Sequence, residues 1–418
     1  MLFFIYRLIT NLIFPVSNIY LKFRILRKKE HTIRYKEKLC ITETSRNSGK
    51  LVWIHSASVG ESLSVLPLIE ELENNKNINT ILITTITLSS SDVIKKKIKN
   101  KRKIVHQFLP LDFPIIVKKF IKHWSPNIAI FIESEIWPNL IEEIKKNKIP
   151  LMLMNARISE KSFNRWKYIK GLAKKIFGSF DLCLASNKET ENFLIELGAK
   201  KIKNIGNLKF SNVNIKDDLA VEDKKFSNFL NKKTIWCVAS THENEELICA
   251  KAHQEIKKTI PNIFTVIIPR HVSRVESIKN QILSLNLKVE SLSNFSFTSE
   301  VDILIVDSFG NNNKFYSLSN IVFLGGSLIK HGGQNPLEPA RLGCNVIHGP
   351  FINNFYEIYE YLNKLEISQK INNQDEISSY VIKNIKKDKV SNEKTKKINL
   401  HGENILKLHV NEINSYLN

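Results

Sequence analysis

From residue 51 onward the chain alternates short apolar runs with longer stretches whose apolar residues recur at helical spacing. The runs predict strands at Leu51–His55, Thr80–Thr84, Ile104–Phe108, Asn127–Ile132, Pro150–Met154 and Asp181–Ala185. Helical segments are predicted between them at 61–74, 114–123, 138–147 and 187–197. Near-continuous apolar strands separated by amphipathic helices predict a parallel sheet covered on both faces. The rhythm fails over residues 207–232, which are polar and weakly periodic and read as a linker. It then restarts, with strands predicted at Thr234–Ala239, Phe264–Ile268, Asp302–Val306, Ile321–Leu324 and Asn345–His348. Helices are predicted at 243–258, 272–285, 336–343 and 353–364, and the charged stretch 388–417 is helical in period. Two doubly wound α/β units joined by a linker would bind ligands at the carboxyl ends of their strands, in a crevice between the units.

The first 29 residues break from this pattern: an apolar stretch interrupted by Arg7 runs into a basic cluster of Lys22, Arg24, Arg27, Lys28 and Lys29. A spanning helix needs about 20 mainly apolar residues, so residues 2–21 are borderline, and an interfacial helix drawn to anionic lipid is the alternative. If it spans, the basic residues on its C-terminal side predict that the remainder stays in the cytoplasm.

Length and composition add bounds. At 418 residues, 43% hydrophobic and 25% charged, the chain suits two globular domains. A net charge of +21 is compatible with nucleic acid, membrane or an anionic substrate, but lysine is spread throughout and no aromatic-stacking or basic module marks an RNA binder. The five cysteines are scattered without metal or redox spacing and read as small core residues.

Four stretches at predicted strand ends carry candidate chemistry. In "WIHSASVGE", small residues and Gly60 precede Glu61 at a helix start. There the helix dipole would keep the carboxylate ionised, serving either as a first-turn acid or as a general base. In "FIESEIWPNL", Glu133 and Glu135 follow an apolar strand, and on extended backbone they would share a face. Alternatively, one caps a helix and the other pairs with Arg157 or Lys161. In "STHENEE" and "IIPRH", Ser240, Thr241 and Arg270 follow strands and suit phosphate, whereas His242 and Glu246 lack a third partner for zinc. In "FLGGSLIKHGGQNPLEPARLG", glycines would let backbone amides approach a phosphate, and Glu338 could accept ribose hydroxyls.

These stretches, together with "NARIS" and "GNLKF", occur in one order across residues 1 to about 365, and the set resembles the 3-deoxy-D-manno-octulosonic acid (Kdo) transferases of lipopolysaccharide synthesis. The resemblance implies a GT-B glycosyltransferase with two Rossmann-like domains facing a central cleft and an N-terminal membrane-anchoring segment at 1–30. It divides the rest into an acceptor-binding domain at 31–210, a linker at 211–232, a CMP-Kdo-binding domain at 233–390 and a terminal helix at 391–418. It further implies a lipid IVA acceptor, inversion without metal or cofactor, no nucleic-acid partner, and a site on the cytoplasmic face of the inner membrane. By resemblance Glu61 is the proton acceptor, and Glu133 and Lys209 stabilise the transition state. CMP would contact Pro269, Arg270, Phe309, Gly310, Asn311, Asn335, Pro336, Leu337 and Glu338. The chain departs at Asn311, where the family often carries glutamate. A sugar-nucleotide epimerase of the same architecture is the alternative, against which the apolar N-terminus counts.

Overall fold

The computed structural model describes residues 2–99, 101–211, 224–296 and 300–417. It divides into two units, 1–212 with 401–418, and 213–400. Most of the 211–232 segment therefore lies outside the described residues.

The first unit holds β1 (Leu51–His55), β2 (Thr80–Thr85), β3 (Ile104–Phe108), β4 (Ile128–Ile132), β5 (Leu151–Ala156), β6 (Leu182–Ala185) and β7 (Ile202–Asn204). They form one parallel sheet in the order β3-β2-β1-β4-β5-β6-β7. The order reverses between β1 and β4, so the loops leaving those two strands part to opposite sides and open a crevice at their carboxyl ends. Isoleucine, leucine and valine fill these strands because both faces are buried by helices. Trp53 anchors the core, with its ring centroid 4.9 Å from Phe120 and 5.4 Å from Phe131.

The second unit holds β8 (Thr234–Thr241), β9 (Ile263–Pro269), β10 (Val289–Ser291), β11 (Ile303–Ile305), β12 (Ile321–Leu324), β13 (Asn345–His348) and β14 (Ser368–Lys370). These also form a parallel sheet, in the order β10-β11-β9-β8-β12-β13-β14, with its reversal between β8 and β12. Both units are thus doubly wound and Rossmann-like, as the alternation predicts.

The structure adds elements the pattern does not show. Residues 224–230, within the stretch read as linker, form a helix (Lys224–Leu230). Its Phe226 and Phe229 are buried and meet Phe295 edge-on at 5.4 and 5.1 Å. The helix Leu88–Ile98 is rich in serine and lysine, and the Thr87–Ser90 capping box sets its start. The terminal helix Asn392–Leu417 ends on the first unit, where Asn414 pairs with Asn75 at 3.1 Å and Tyr416 donates to the Asp181 carbonyl at 3.3 Å.

At the N-terminus, helices Leu2–Ile13 and Ser17–Leu26 are joined by a 3-10 turn at Phe14–Val16. Among the described residues this is the one helical run long and apolar enough to cross a membrane. Its side chains are tied to the first unit. Tyr6 donates to Asp112 at 2.7 Å, Asn139 donates to Thr10 at 3.2 Å, and Phe14 packs against Phe113. Phe4, Leu8 and Leu12, spaced four residues apart, remain 71%, 50% and 71% exposed.

Candidate functional site

Each unit gathers predicted site residues at the strand ends beside its reversal point. In the first, β1 stops at His55, and Ser58 caps the helix Val59–Asn74, which places Glu61 in the first turn. The Ser58 hydroxyl accepts from the Glu61 amide at 3.3 Å and donates to Glu61 Oε1 at 2.8 Å, while the Ala57 amide donates to Oε2 at 2.8 Å. The carboxylate is thus fixed to its own helix start and is 9% exposed. Burial raises its pKa above the ordinary value, outweighing those hydrogen bonds, and the charges of Glu133 and Glu135 push the same way. The hydrogen bonds of the helix start favour the charged form, as expected, and desolvation outweighs them in moving the pKa upward.

Glu133 and Glu135 leave β4 on a turn rather than on extended backbone. Glu133 sits in the left-handed region (φ 56°), with its amide donating to the Met154 carbonyl at 3.0 Å. A non-glycine residue there is uncommon and strains the backbone. The turn sends the two carboxylates to different partners. Glu133 Oε1 meets Lys209 Nζ at 2.8 Å. Glu135 Oε2 accepts from Trp137 Nε1 at 2.8 Å and lies 3.1 Å from His55 Nε2. His55 is fully buried, and Thr84 holds its Nδ1 at 3.0 Å through both carbonyl and hydroxyl. With Nε2 as donor to the Glu135 carboxylate, Nδ1 can accept from the Thr84 hydroxyl; with Nδ1 as donor, the Thr84 carbonyl is its acceptor. Burial pushes the Glu135 carboxyl up, but the bonds and charge from His55 and the bond from Trp137 prevail and leave its pKa below the ordinary range.

Lys209 reaches Glu133 because Asn155 places its loop. Asn155 is buried, has φ 51°, and accepts from the Leu208 amide at 2.8 Å, which holds the 3-10 turn Leu208–Ser211 against the end of β5. Sequence reasoning gave His55, Trp137 and Asn155 no role, although each lies inside a quoted motif.

In the second unit a cavity of about 300 Å³ opens beyond β8 and β9. Pro269, Arg270, Phe309, Gly310 and Glu338 line it, with Ser240 and Ser308. Phe309 is 78% exposed, which leaves its ring available to a ligand. Asn311, Asn335, Pro336 and Leu337 are not part of the lining. Asn311 donates to the Ser308 hydroxyl at 2.8 Å, and Asn335 accepts from the Leu337 amide at 3.1 Å to open the helix that carries Glu338.

The glycine-rich loop after β12 differs from expectation. The amides of Gly326, Ser327 and Leu328 do not wait for a phosphate. They donate to the fully buried carboxylate of Glu245 at 2.6, 3.0 and 3.0 Å, and the His242 amide adds a fourth bond at 2.9 Å. Glycine is required at 325 because a Cβ would stand 2.5 Å from the Thr241 Cα. Glu246, also buried, is gripped by two Arg274 nitrogens at 2.8 and 3.1 Å. These acids build the loops around the cavity.

Known proteins resemble this chain along most of its length. A family profile described as "3-Deoxy-D-manno-octulosonic-acid transferase (kdotransferase)" matches residues 33–212. The 3-deoxy-D-manno-octulosonic acid transferase of Rickettsia bellii is 34% identical over 90% of this chain and 93% of its own length. The enzyme of the same name from Haemophilus influenzae is 31% identical over 82% of this chain and 81% of its own. Among solved structures, UDP-GlcNAc 2-epimerase from Neisseria meningitidis matches with a TM-score of 0.59 at 12% identity, covering 88% of this chain and all of that one. At that identity it shows a shared fold and carries no support for epimerase activity. Identity of about a third across almost the whole length is of another order, and on it the chain belongs to the 3-deoxy-D-manno-octulosonic acid transferases, a family of glycosyltransferases.

Proposed function

We propose that the protein transfers Kdo from CMP-Kdo to the lipid A precursor lipid IVA, with inversion, and that Glu61 is the general base. The observation that carries this reading is the state of Glu61: a carboxylate at the mouth of β1, locked by Ser58 and Ala57, with a pKa raised by burial. A base whose pKa rises toward the working pH takes a proton more effectively than an ordinary surface carboxylate. In the proposed step the acceptor hydroxyl oxygen bonds to the anomeric carbon of Kdo, and its proton passes to Glu61. The bond from that carbon to the phosphate oxygen breaks, and CMP leaves with the electron pair. Displacement in a single step inverts the centre and forms no covalent enzyme intermediate.

The pair Glu133–Lys209 supplies fixed charge for the oxocarbenium-like state and the departing anion. Arg270 and the cavity around it supply the CMP grip, with Phe309 and Glu338 as further walls. On this reading the first unit takes the lipid and the second the nucleotide, as the resemblance implies for 31–210 and 233–390. Asn311, Asn335, Pro336 and Leu337 act by shaping the loops that carry the lining residues.

The N-terminal helices serve as an interfacial anchor on the cytoplasmic face of the inner membrane. Tyr6 and Thr10 hold the first of them side-on to the protein, while Phe4, Leu8 and Leu12 face outward. That posture suits insertion of one face into the headgroup boundary rather than a crossing. The test is incubation of the purified protein with CMP-Kdo and lipid IVA, followed by mass analysis of the lipid. A gain of one or more Kdo residues supports the reading, and unchanged lipid with intact CMP-Kdo refutes it.

A further inference from the structure

The end of β8 and the loop after it pass through the left-handed region twice, at Ser240 (φ 55°), where the strand register shifts, and at Asn244 (φ 73°). A serine in that region is strained, and such strain gathers at ligand sites. Between Ser240 and Asn244 stands His242, whose ring centroid lies 4.0 Å from that of His331 and 6.2 Å from that of His271. Gly326 makes room for the pair. A Cβ there would lie 3.2 Å from His242 and 3.3 Å from His331, on backbone at φ 67°. Asn354 fixes the loop bearing His331, donating from its side chain to the His331 carbonyl at 3.2 Å and from its amide to the Gly332 carbonyl at 2.9 Å.

Three imidazoles therefore gather on the loops after β8, β9 and β12; they are not part of the cavity lining, but Arg270, which is, precedes His271 in the chain. Arg274, the other guanidinium there, is spent on Glu246. Among the described residues the histidine ion pairs are His55–Glu135 and His253–Asp302, so no carboxylate of the protein balances this cluster. Burial, and then the positive charge of His331, His271 and Arg270, pull the His242 pKa down to about 4. With no carboxylate beside it His242 is neutral near pH 7, and a bound anion would favour its protonated, donating form.

The chemistry of the donor supplies one. An ulosonic sugar nucleotide carries two anions on one anomeric carbon, the phosphodiester and the sugar's own carboxylate. A protein that grips the first must meet the second within a few ångströms. We propose that His242, His271 and His331 hold the carboxylate of the donor sugar, next to the phosphate taken by Arg270. The inference rests on the CMP-Kdo reading of the second unit and names the group that distinguishes this donor from an uncharged sugar nucleotide.

The test compares two ligands, CMP and CMP-Kdo, in the full-length protein. His331 is exposed, so His331→Gln leaves the core intact, and His242→Gln gives a second perturbation. Loss of one hydrogen bond to a charged group predicts about a tenfold rise in KM for CMP-Kdo, while CMP as a competitive inhibitor binds within about twofold of wild type. His331→Lys supplies an N–H donor with a fixed positive charge and recovers most of the donor affinity. Parallel loss of CMP and CMP-Kdo affinity, unchanged KM in both Gln variants, or failure of His331→Lys to recover would each overturn the carboxylate assignment. If the wild-type protein binds neither ligand, the donor reading falls and the assignment falls with it. If it binds both and the variants treat them alike, only the assignment falls.

Discussion

Replacing Glu245 by glutamine alters one heavy atom of a buried side chain and tests how the second unit is built. Glu245 Oε1 accepts from the Ser327 and Leu328 amides, and Oε2 from those of His242 and Gly326. Glutamine keeps one acceptor oxygen but points an NH2 group at two amides that need an acceptor. Each buried donor left unsatisfied costs about 1–3 kcal/mol, so Glu245→Gln should destabilise the second unit by roughly 3–5 kcal/mol. That is a large part of the 5–15 kcal/mol typical of a folded domain. Four of the five tryptophans lie in the first unit, so fluorescence would report mainly on the wrong half. Hydrogen exchange read by peptide resolves the two. Amides 325–328 should lose protection by about a hundredfold or more, at 1.4 kcal/mol per tenfold, while those of β1 and β4 keep theirs. Wild-type protection over 325–328 would refute the claim that this carboxylate organises the glycine loop.

Other consequences concern the first unit and the anchor. Lys209→Ala leaves the Glu133 carboxylate, which is 17% exposed, without its 2.8 Å partner; a loss of about 2 kcal/mol in transition-state stabilisation predicts roughly a thirtyfold fall in kcat, and an unchanged kcat would dismiss the pair from the chemistry. The base acts when ionised, and the Glu61 pKa is raised, so kcat/KM should fall as pH drops through a value above the ordinary carboxylate range. Glu135 contributes charge to that rise, so Glu135→Gln should move the acid limb to lower pH; movement the other way would contradict the electrostatics. Leu8→Glu with Leu12→Glu removes two outward apolar contacts worth about 1 kcal/mol each, so binding to vesicles containing phosphatidylglycerol should weaken roughly thirtyfold, with the melting temperature unchanged. Equal vesicle binding would show that this face is not the anchor.

Periodicity made the architecture readable because the buried parallel strands are apolar on both faces. Strands such as Leu51–His55 and Ile321–Leu324 have the bounds that the pattern predicts. Strands β7, β10 and β14 escaped because these short edge strands read IKN, VES and SQK and lack an apolar run, whereas β11, equally short, is wholly apolar and central. The helix at 224–230 escaped because the two buried phenylalanines that define it are surrounded by polar residues. At the site, the motifs brought out Glu61, Glu133, Lys209 and Arg270, because a charged residue after an apolar strand is conspicuous. The partners were hidden: nothing in the spacing of His55 and Glu135, eighty positions apart, reveals their 3.1 Å contact. The glycine loop was misjudged because sequence cannot tell a nest that holds a phosphate from one filled by the protein's own Glu245.

The central claim is that Glu61 takes the acceptor's proton, and Glu61→Gln tests it most directly. Glutamine keeps the size of the side chain and can still accept a bond from Ser58 or Ala57, so the helix start survives, but it cannot accept the proton. Single-turnover transfer from CMP-Kdo to lipid IVA should fall by about 10²–10⁴-fold, the usual worth of a general base, with CMP affinity and melting temperature retained. Transfer at the wild-type rate by a folded, CMP-binding Glu61→Gln protein would contradict the account.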